Sequence, residues 1–274
     1  MIRWLVEIGR STSKLEADIN KLNQGELPAG WQWVNASVFA KVAFNNGDVA
    51  VFYKQFLPRN RMEQPKAWLR GSRCQRAIQQ LDVLKKNNFN SPEILCWGKL
   101  ARGREFMVSR AVSGVGVGSC LASYFRAVGK QPELLRAKRI IIKALGAEIG
   151  RMHKAGIVHG DLRPNNVLIE LGTKAPRFHF IDNERNKVYR KIPNKLLIKN
   201  LVQIGMLASI DITKTDRVRF LDEYLNIYKE FNKALILDVS SITGHRLETA
   251  VPDRLGSPNL PRSTLEKGLV FQCD

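Results

Sequence analysis

The first part of the chain is dominated by short runs of β-branched and aromatic residues. Residues 33–34, 38–44 and 49–56 have this composition, and Asn45-Asn46-Gly47-Asp48 separates the last two runs. An Asn-Gly pair between apolar runs is typical of a tight β-hairpin turn. Residues 91–98 and 104–111 continue the pattern. We therefore predict an antiparallel sheet in this part of the chain.

Helical periodicity follows in several longer segments. Apolar side chains recur at helical spacing in residues 63–88 and over a longer stretch in residues 132–155. Gly156 follows the second segment directly and is predicted to end that helix. Residues 201–207 and 220–237 are also predicted to be helical. A sheet-rich first part and a helix-rich second part indicate an α+β fold.

One stretch combines polar side chains at fixed offsets with a short apolar strand. Asp161 follows His159 by two residues, and Asn166 follows Asp161 by five, before a short apolar run. A second apolar run, residues 178–181, ends at Asp182. A polar turn needs Gly, Pro and Asn, but it does not need a histidine, an acid and an amide at these offsets. The pattern therefore favours a catalytic site over a simple turn.

These residue types suit phosphoryl transfer from a nucleotide. The reaction needs an acid that accepts the proton of the attacking hydroxyl, and oxygen ligands that hold magnesium on the phosphates. Asp161 suits the first role. Asn166 and Asp182 suit the second, because magnesium prefers oxygen ligands and takes only a few of them from the protein. We therefore expect ATP and Mg2+ as cofactors.

The two motifs resemble those of the protein-kinase-like superfamily, in which H-R-D-L-x-x-x-N and D-F-G carry the base and the metal ligands. Residues 159–162 read HGDL, the form found in sugar and antibiotic kinases. From about residue 30 to about residue 230 the chain more closely resembles the bacterial lipopolysaccharide kinases, which phosphorylate Kdo or heptose in the inner core. Four segments carry this resemblance: residues 152–156, the Ile-Asp-x-x-Arg run at 181–185, residues 199–202 and residues 215–225.

The resemblance implies a two-lobed α+β fold with an antiparallel, β-rich small lobe and a mainly helical large lobe. Lys54 falls where the family's strand lysine contacts the nucleotide phosphates. Arg163 falls where a basic residue neutralises the transferred phosphoryl group. The implied activity is transfer of the γ-phosphoryl group of ATP to a sugar hydroxyl. The expected boundaries are an N-terminal extension at 1–30, the small lobe at 31–111, the large lobe with the catalytic loop at 112–249 and a loose tail at 250–274.

Several positions depart from the kinase pattern. Residues 35–37 lack a Gly-x-Gly-x-x-Gly loop, and no acid lies between residues 64 and 81, where active protein kinases carry the partner of the strand lysine. Gln75 is the substitute that we consider for this acid. The glycine-rich residues 114–118 are interpreted as a flexible connector. Asn200 stands where related kinases usually carry Asp, a change that we expect to weaken the bracing of the catalytic loop.

Three alternatives remain open. A small-molecule kinase of the aminoglycoside or choline type also uses HGDL, but residues 215–225 and the short region after Asp182 favour a lipopolysaccharide kinase. A protein Ser/Thr kinase shares the machinery, although the short basic segment 189–195 leaves no room for peptide docking. A catalytically weak pseudokinase or binding module would explain the missing acid and glycine loop, but the presence of Asp161 and Asn166 opposes it.

Composition bears mainly on the partners. The 274 residues include 44 Lys and Arg against 25 Asp and Glu, a net charge of +19. Such a field attracts anions, so we expect ATP and an anionic glycolipid or sugar acceptor; no nucleic acid is expected, because aromatic residues do not interleave the basic ones. The N-terminal residues form no apolar run of the length of a signal peptide or a membrane span. This predicts a cytoplasmic protein. The positive charge leaves open a peripheral contact with the inner face of the cytoplasmic membrane.

The widely spaced cysteines are expected to be free thiols.

Overall fold

The computed structural model divides the chain into two compact units. Residues Met1–Leu84 and Ser91–Val112 form the first, called here the sheet unit, and residues Lys85–Asn90 and Ser113–Asp274 form the second, called here the helical unit. The predicted tail at 250–274 lies outside the described residues. The described residues are 2–6, 8–9, 11–58, 71–127, 132–170, 175–208, 211–231 and 235–249.

The sheet unit is built on six antiparallel strands. In spatial order they run β1-β5-β6-β4-β3-β2. The strands predicted from the apolar runs are present, so the predicted antiparallel sheet is confirmed. Their bounds are β1 Ile2–Trp4, β2 Trp31–Ala36, β3 Ala40–Asn46, β4 Ala50–Phe56, β5 Ile94–Lys99 and β6 Glu105–Arg110.

The hairpin between β3 and β4 forms at the predicted turn. Asn46 pairs with Ala50, and Gly47 donates its N–H to the side-chain oxygen of Asn45 at 2.6 Å. This local bond stabilises the turn without a partner from another element. Phe44 and Phe52 then pair across the two strands, with ring centroids 4.8 Å apart. Cross-strand aromatic pairs of this kind stabilise the register of a hairpin.

Residues 1–30, predicted as an extension, contribute to the core of the sheet unit. Strand β1 pairs with β5, and Ile2 lies opposite Gly98. Helix α1, Ser11–Gln24, packs its apolar face on the sheet. Trp31 also donates from its indole nitrogen to Asp18 at 2.9 Å. The predicted lobe boundaries themselves stay a prediction. The residues buried in this cluster include Leu15, Ile19, Leu22, Trp31, Tyr53 and Phe106.

Helix α2, Arg73–Lys86, begins later than predicted. Residues 63–70 of the predicted helix lie outside the described part of the chain. Ser72 and Gln75 form a reciprocal cap at its start: the Gln75 N–H donates to the Ser72 hydroxyl at 3.2 Å, and the Ser72 N–H donates to the Gln75 side chain at 2.9 Å. Such a cap satisfies backbone groups that the first turn of a helix leaves without partners.

The helical unit contains five helices and two small sheets among its described residues. Strands β7, β9 and β10 form one sheet, and β8 pairs with β11. The helices are α3 Val117–Ala127, α4 Pro132–Lys154, α5 Asn194–Ile204, α6 Lys214–Ile227 and α7 Leu235–Thr249; the strands are β7 Val115–Gly116, β8 Ile157–Val158, β9 Val167–Glu170, β10 Arg177–Phe180 and β11 Lys187–Val188. The predicted α+β class, with a kinase-like division into a sheet part and a helical part, is confirmed.

Two sequence predictions in the helical unit are wrong. The predicted helix at 220–237 is interrupted, because α6 ends at Ile227 and α7 begins at Leu235. The predicted flexible connector at 114–118 is instead strand β7 and the first turn of α3. Its glycines allow a close approach, since a Cβ built on Gly118 would lie 2.6 Å from the side-chain oxygen of Asn165. That oxygen accepts the N–H of Ser119 at 2.9 Å and caps α3.

Helices α4 and α6 pack closely enough for backbone contact. A Cβ built on Gly146 would overlap the carbonyl oxygen of Phe220, and one on Gly150 would lie 3.0 Å from that of Tyr224. Lys138 of α4 and Asp216 of α6 form a buried ion pair of 3.0 Å. Burial alone would raise the pKa of Asp216, but hydrogen bonds from Thr213 and Lys138 outweigh burial and lower it.

The described cysteines are buried free thiols. Burial raises the pKa of both Cys96 and Cys120 to about 12, so these thiols are unreactive structural residues. The predicted free state is confirmed for Cys74, Cys96 and Cys120.

No helix within the described ranges is both long enough and apolar enough to span a membrane.

Candidate active site

The predicted catalytic loop leaves the end of α4 through a glycine turn. Gly156 has a φ of +74°, and Tyr189 donates its N–H to the Gly156 carbonyl at 2.8 Å. A Cβ at Gly156 would overlap the Tyr189 carbonyl oxygen, so both the backbone conformation and the space require glycine. Strand β8 follows, and the loop begins at His159.

His159 connects the loop to the strand that carries Asp182. Its side chain is fully buried, and Nε2 lies 3.0 Å from the carbonyl oxygen of Ile181. A carbonyl only accepts, so Nε2 carries the proton, and Nδ1 accepts the N–H of Asp161 at 3.1 Å. Burial lowers the pKa of His159, and this outweighs the opposing effects of the Ile181 carbonyl and the nearby carboxylates. The ring is therefore a neutral brace rather than a base.

Asn200 braces the same histidine from the other side. Its side-chain oxygen accepts the N–H of His159 at 3.1 Å, while its side-chain nitrogen donates to the His159 carbonyl at 2.8 Å. The oxygen also lies 3.3 Å from Nε2 of His153. An amide can donate and accept at once, whereas a carboxylate only accepts. The bracing of the loop is therefore retained, because the amide bonds both backbone groups of His159, and the expected weakening relative to Asp stays a prediction.

Asp161 is oriented by two donors that reach the same carboxylate oxygen. Gln203 of α5 donates to Oδ1 at 3.0 Å, and the Arg163 guanidinium lies 3.0 Å from that atom. The Gln203 side-chain oxygen accepts the N–H of Leu162 at 3.3 Å. The carboxylate is thus held by a side chain and by its own loop. The sequence analysis did not predict Gln203 as a site residue. The local signal that could have indicated it is its position on the helix, three residues after Asn200.

The two proposed metal ligands are joined through the backbone. Ile181, which precedes Asp182, donates its N–H to the Asn166 carbonyl at 3.0 Å. The side-chain nitrogen of Asn166 donates to the Asp161 carbonyl at 2.9 Å. Asp182 has a left-handed backbone, with φ 61° and ψ 42°. Residues with this sparsely populated backbone conformation are concentrated at functional sites. Here the conformation occurs at the predicted metal ligand, Asp182.

The donor set fits magnesium held together with nucleotide phosphates. The described residues contain no cluster of three or more His, Cys, Asp or Glu residues suited to a metal. Magnesium in phosphotransferases is bound by one or two protein oxygens, phosphates and water. In Asn166 the amide nitrogen is committed to Asp161, so the oxygen is the group that would ligate. Asn166 and Asp182 therefore provide a suitable set.

A second group of amides holds Gly160, which precedes Asp161. Asn186 accepts the Gly160 N–H at 3.0 Å, and its side-chain nitrogen donates to Asn183 at 3.0 Å. A Cβ on Gly160 would overlap Arg185. Lys199 donates to the Gly160 carbonyl at 3.4 Å. Asn186, Arg185 and Lys199 were not among the predicted site residues, because only the tertiary fold brings them to the loop.

The remaining predicted site residue, Lys54, belongs to the sheet unit. It lies on β4, and its ammonium nitrogen is 5.1 Å from the centre of the Phe56 ring. The Arg73 guanidinium lies over the same ring at 4.4 Å. Gln75, considered as a substitute for the missing acid, instead caps the start of α2 with its side-chain oxygen. The role of Lys54 at the phosphates stays a prediction.

One solved structure shares the fold of this chain, and a second resembles it less closely. WaaP in complex with acyl carrier protein is 17% identical over 90% of this chain and 98% of that chain, with a TM-score of 0.59. The bifunctional kinase-methyltransferase WbdD is 15% identical over 80% of this chain and 51% of that chain, with a TM-score of 0.46.

Sequence comparisons are more specific. An EKC/KEOPS complex subunit from Schizosaccharomyces pombe is 25% identical over 118 residues, which are 43% of this chain and 49% of that protein. The chain therefore spans about half the length of this curated relative. Residues 70–224, more than half of the chain, match the model of the lipopolysaccharide kinase (Kdo/WaaP) family. The chain belongs to the lipopolysaccharide kinase (Kdo/WaaP) family, which confirms the predicted resemblance.

Proposed function

We propose that the protein transfers the γ-phosphoryl group of ATP to a hydroxyl of Kdo or heptose in the lipopolysaccharide inner core. The observation that supports this most strongly is the hydrogen-bonded frame around Asp161. Asn166 donates to the Asp161 carbonyl at 2.9 Å, and Ile181 donates to the Asn166 carbonyl at 3.0 Å. One rigid frame thus contains a carboxylate base and two oxygen ligands, which are the groups that phosphoryl transfer needs.

In this proposal Asp161 is the base. Gln203 and Arg163 occupy Oδ1, so Oδ2 is the oxygen that accepts the proton of the acceptor hydroxyl. The hydroxyl oxygen forms the new bond to the γ-phosphorus, its proton moves to Oδ2, and the bond to the β-phosphate oxygen breaks to release ADP. The base has to lie within hydrogen-bond distance of the hydroxyl, and the two donors keep the carboxylate in one orientation for this purpose.

Charge on the phosphates is neutralised by several groups. Asn166 and Asp182 would hold magnesium, which supplies charge compensation and orientation of the phosphates when it is bound. Arg163, whose side chain is 71% exposed, can turn from Asp161 towards the transferred group. Lys54 would contribute a point charge for the nucleotide.

Membership of the family supports the proposed acceptor and cellular location. An anionic glycolipid is the partner that suits a chain of net charge +19. We propose that transfer takes place on the cytoplasmic side, at the inner face of the cytoplasmic membrane.

The test is transfer of labelled γ-phosphate from Mg-ATP to purified Kdo-lipid A and to heptose-containing inner-core lipopolysaccharide. Asp161→Asn is expected to lower kcat by about 100-fold to 10,000-fold, the usual contribution of a positioned base. Asp182→Asn is expected to abolish magnesium-dependent transfer. Asp222→Asn, an exposed acid on α6, is the matched control and should behave as wild type.

Each result distinguishes the candidates. Transfer that is lost in both site variants and retained in the control would support a sugar kinase. Transfer that survives Asp161→Asn within a few-fold would overturn the assignment of the base. If the wild type transfers nothing but ATP still raises its melting temperature in a magnesium-dependent way, the protein is a nucleotide-binding module. The missing acid on the helix after the strand lysine would then explain the absence of transfer.

A further inference from the structure

The segment that follows the proposed metal ligand carries an unusual density of positive charge. Between residues 185 and 210 the chain contains no Asp or Glu. Six basic side chains in this segment are exposed and are called here the basic strip: Arg185, Lys187, Arg190, Lys191, Lys195 and Lys199. Among the described residues, none of the six forms an ion pair with a carboxylate. Their charge is therefore available to a ligand.

Two members of the basic strip lie against the catalytic loop. Arg185 packs on Gly160 so closely that a Cβ on Gly160 would overlap it. Lys199, on α5, donates to the Gly160 carbonyl at 3.4 Å. Gly160 is bonded directly to Asp161 in the chain. Gly160, which precedes the proposed base, is thus contacted by the backbone and Cβ of Arg185 and by the ammonium group of Lys199, from separate elements on either side of β11.

The surroundings hold these two positions in place. The Gly160 N–H donates to Asn186, the neighbour of Arg185, at 3.0 Å. Strand β11 pairs with β8, so that Lys187 lies opposite Val158. Asn200, the neighbour of Lys199, is fully buried and bonds both backbone groups of His159. The backbones of Arg185 and Lys199 are therefore positioned by buried amides, and only their charged side chains extend into solvent.

From this juxtaposition we propose that Arg185 and Lys199 form an anion subsite for the acceptor, and that the subsite selects a sugar carrying a carboxylate or phosphate close to the reactive hydroxyl. The inference rests on the proposed function. A hydroxyl that reaches Asp161 brings its sugar close to Gly160, the residue that Arg185 and Lys199 both contact. Kdo is an acidic sugar with a carboxylate, whereas an unphosphorylated heptose is neutral. The subsite therefore favours Kdo over a neutral heptose as the acceptor.

The strip beyond these two residues fits a larger anionic acceptor. Val188, which is 54% exposed, lies between Lys187 and Tyr189 in the middle of the strip. Exposed cations around an apolar side chain suit a glycolipid, whose acidic sugars and phosphates lie next to apolar chains. Such a surface also raises the rate of encounter with an anion in a salt-dependent way.

The experiment measures both acceptor binding without nucleotide and steady-state transfer. The probes are a Kdo glycoside of lipid A, the same compound with its Kdo carboxylate converted to a methyl ester, and a neutral heptose glycoside. The variants are Arg185→Gln, Lys199→Gln and the double variant. Lys229→Gln, an exposed lysine after α6 and outside the strip, is the matched control.

We expect each single change to weaken binding of the Kdo compound about three- to fivefold, in line with one exposed ion pair, and the double change about tenfold or more. The KM for the acceptor should rise by at least the same factors, while the KM for ATP remains within about twofold. The methyl ester should bind the wild type as weakly as the Kdo compound binds the double variant. Lys229→Gln should match the wild type.

The failure of this inference is distinct from the failure of the proposed function. If transfer occurs but the variants and the ester leave binding and acceptor KM unchanged, the subsite is overturned and the kinase stands. If the wild type transfers nothing but binds the Kdo compound in a charge-dependent way through these residues, the subsite stands and the function is overturned. The subsite would also be overturned if the protein bound phosphatidylglycerol vesicles without the sugar as tightly as the Kdo compound, and if the same variants weakened this binding. The surface would then recognise a lipid headgroup.

Discussion

Gln203 donates a hydrogen bond from its side-chain nitrogen to Oδ1 of Asp161 over 3.0 Å, although the two residues are 42 positions apart in the chain. The same glutamine accepts the N–H of Leu162 at 3.3 Å. It therefore holds both the proposed base and the backbone that follows it. Because both contacts come from one side chain on a packed helix, the orientation of the carboxylate depends on the position of α5.

The first prediction concerns this contact. Gln203→Met preserves the length of the side chain but removes both polar groups, so Asp161 loses a donor to its charged form. A hydrogen bond to a charged group is worth about 1.5–3 kcal/mol, which predicts a fall in kcat of at least about tenfold. The KM for ATP should not change.

The matched control is Gln79→Met, which alters an exposed glutamine on α2. It should leave kcat as in the wild type. If Gln203→Met lowered the melting temperature but left kcat intact, Gln203 would be a structural residue only.

The second prediction concerns Asn200. In Asn200→Asp an acceptor oxygen replaces the side-chain nitrogen, which donates to the His159 carbonyl at 2.8 Å and to the Gln203 side-chain oxygen at 3.3 Å. That oxygen would then face two acceptors in a fully buried site. We expect a loss of about 1–3 kcal/mol in the free energy of unfolding, measured by urea denaturation at pH 7.

Asn226→Asp, an exposed change on α6, provides the comparison and should stay within about 0.5 kcal/mol of the wild type. A stability for Asn200→Asp equal to that of the wild type would show that the amide is not required at this position.

The third prediction concerns pH. Burial lowers the pKa of His153 from 6.5 to about 4, with an opposing contribution from Asn200. The unfolded chain therefore binds this proton more readily than the folded chain. The stabilisation is fully present above pH 6.5 and is lost as the pH falls from about 6.5 to about 4, by up to about 3 kcal/mol.

His153→Gln removes this titration, so its free energy of unfolding should fall less steeply than that of the wild type between pH 7 and pH 4.5. Only the slopes are compared, since the variant also loses the 2.9 Å contact with the Tyr224 hydroxyl. Parallel curves for His153→Gln and the wild type would contradict the assignment.

The fourth prediction uses two glycines in helices. Gly146→Ala places a methyl group against the Phe220 carbonyl, where α4 and α6 are in backbone contact, and overpacking of this kind costs about 1–3 kcal/mol. Gly244 of α7 has nothing within 4 Å of a built Cβ. Gly244→Ala should therefore stabilise the protein by about 0.4–1 kcal/mol, because alanine loses less backbone entropy in a helix.

Thermal or urea denaturation measures the change in the free energy of unfolding for both variants. This change should be a decrease for Gly146→Ala and an increase for Gly244→Ala. Equal effects of the two substitutions would show that α4 and α6 can separate without loss.

Sequence predictions succeeded where the structure depends on residues close together in the chain, and they failed where it depends on residues far apart. The β3–β4 hairpin was predictable because Asn45 and Gly47 form the turn with their own atoms. The end of α4 was predictable because Gly156 can adopt a positive φ. The break between α6 and α7 was not, because the apolar residues on both sides continue a helical pattern, and packing at Tyr228 and Phe231 competes with that pattern.

The N-terminal residues illustrate the same limit. Helix α1 has a weak sequence signal, yet Ile19 and Leu22 are almost completely buried against the sheet. Their spacing could be read from the chain, but their partners on β2, β4 and β6 could not, because those contacts join residues that are far apart in sequence.

The residue types of the site could be read from the chain: an acid, an amide and a second acid at spacings that suit phosphoryl transfer. These are local properties, since Asp161 and Asn166 share one loop and Asp182 directly follows one apolar run. The partners that hold these residues depend on the fold. Gln203 and Asn200 reach the loop from α5, and Arg185 and Lys199 reach Gly160 from two separate elements. A side chain selects such partners by distance and hydrogen-bond geometry in the folded chain, and neither quantity is encoded in spacing along the sequence.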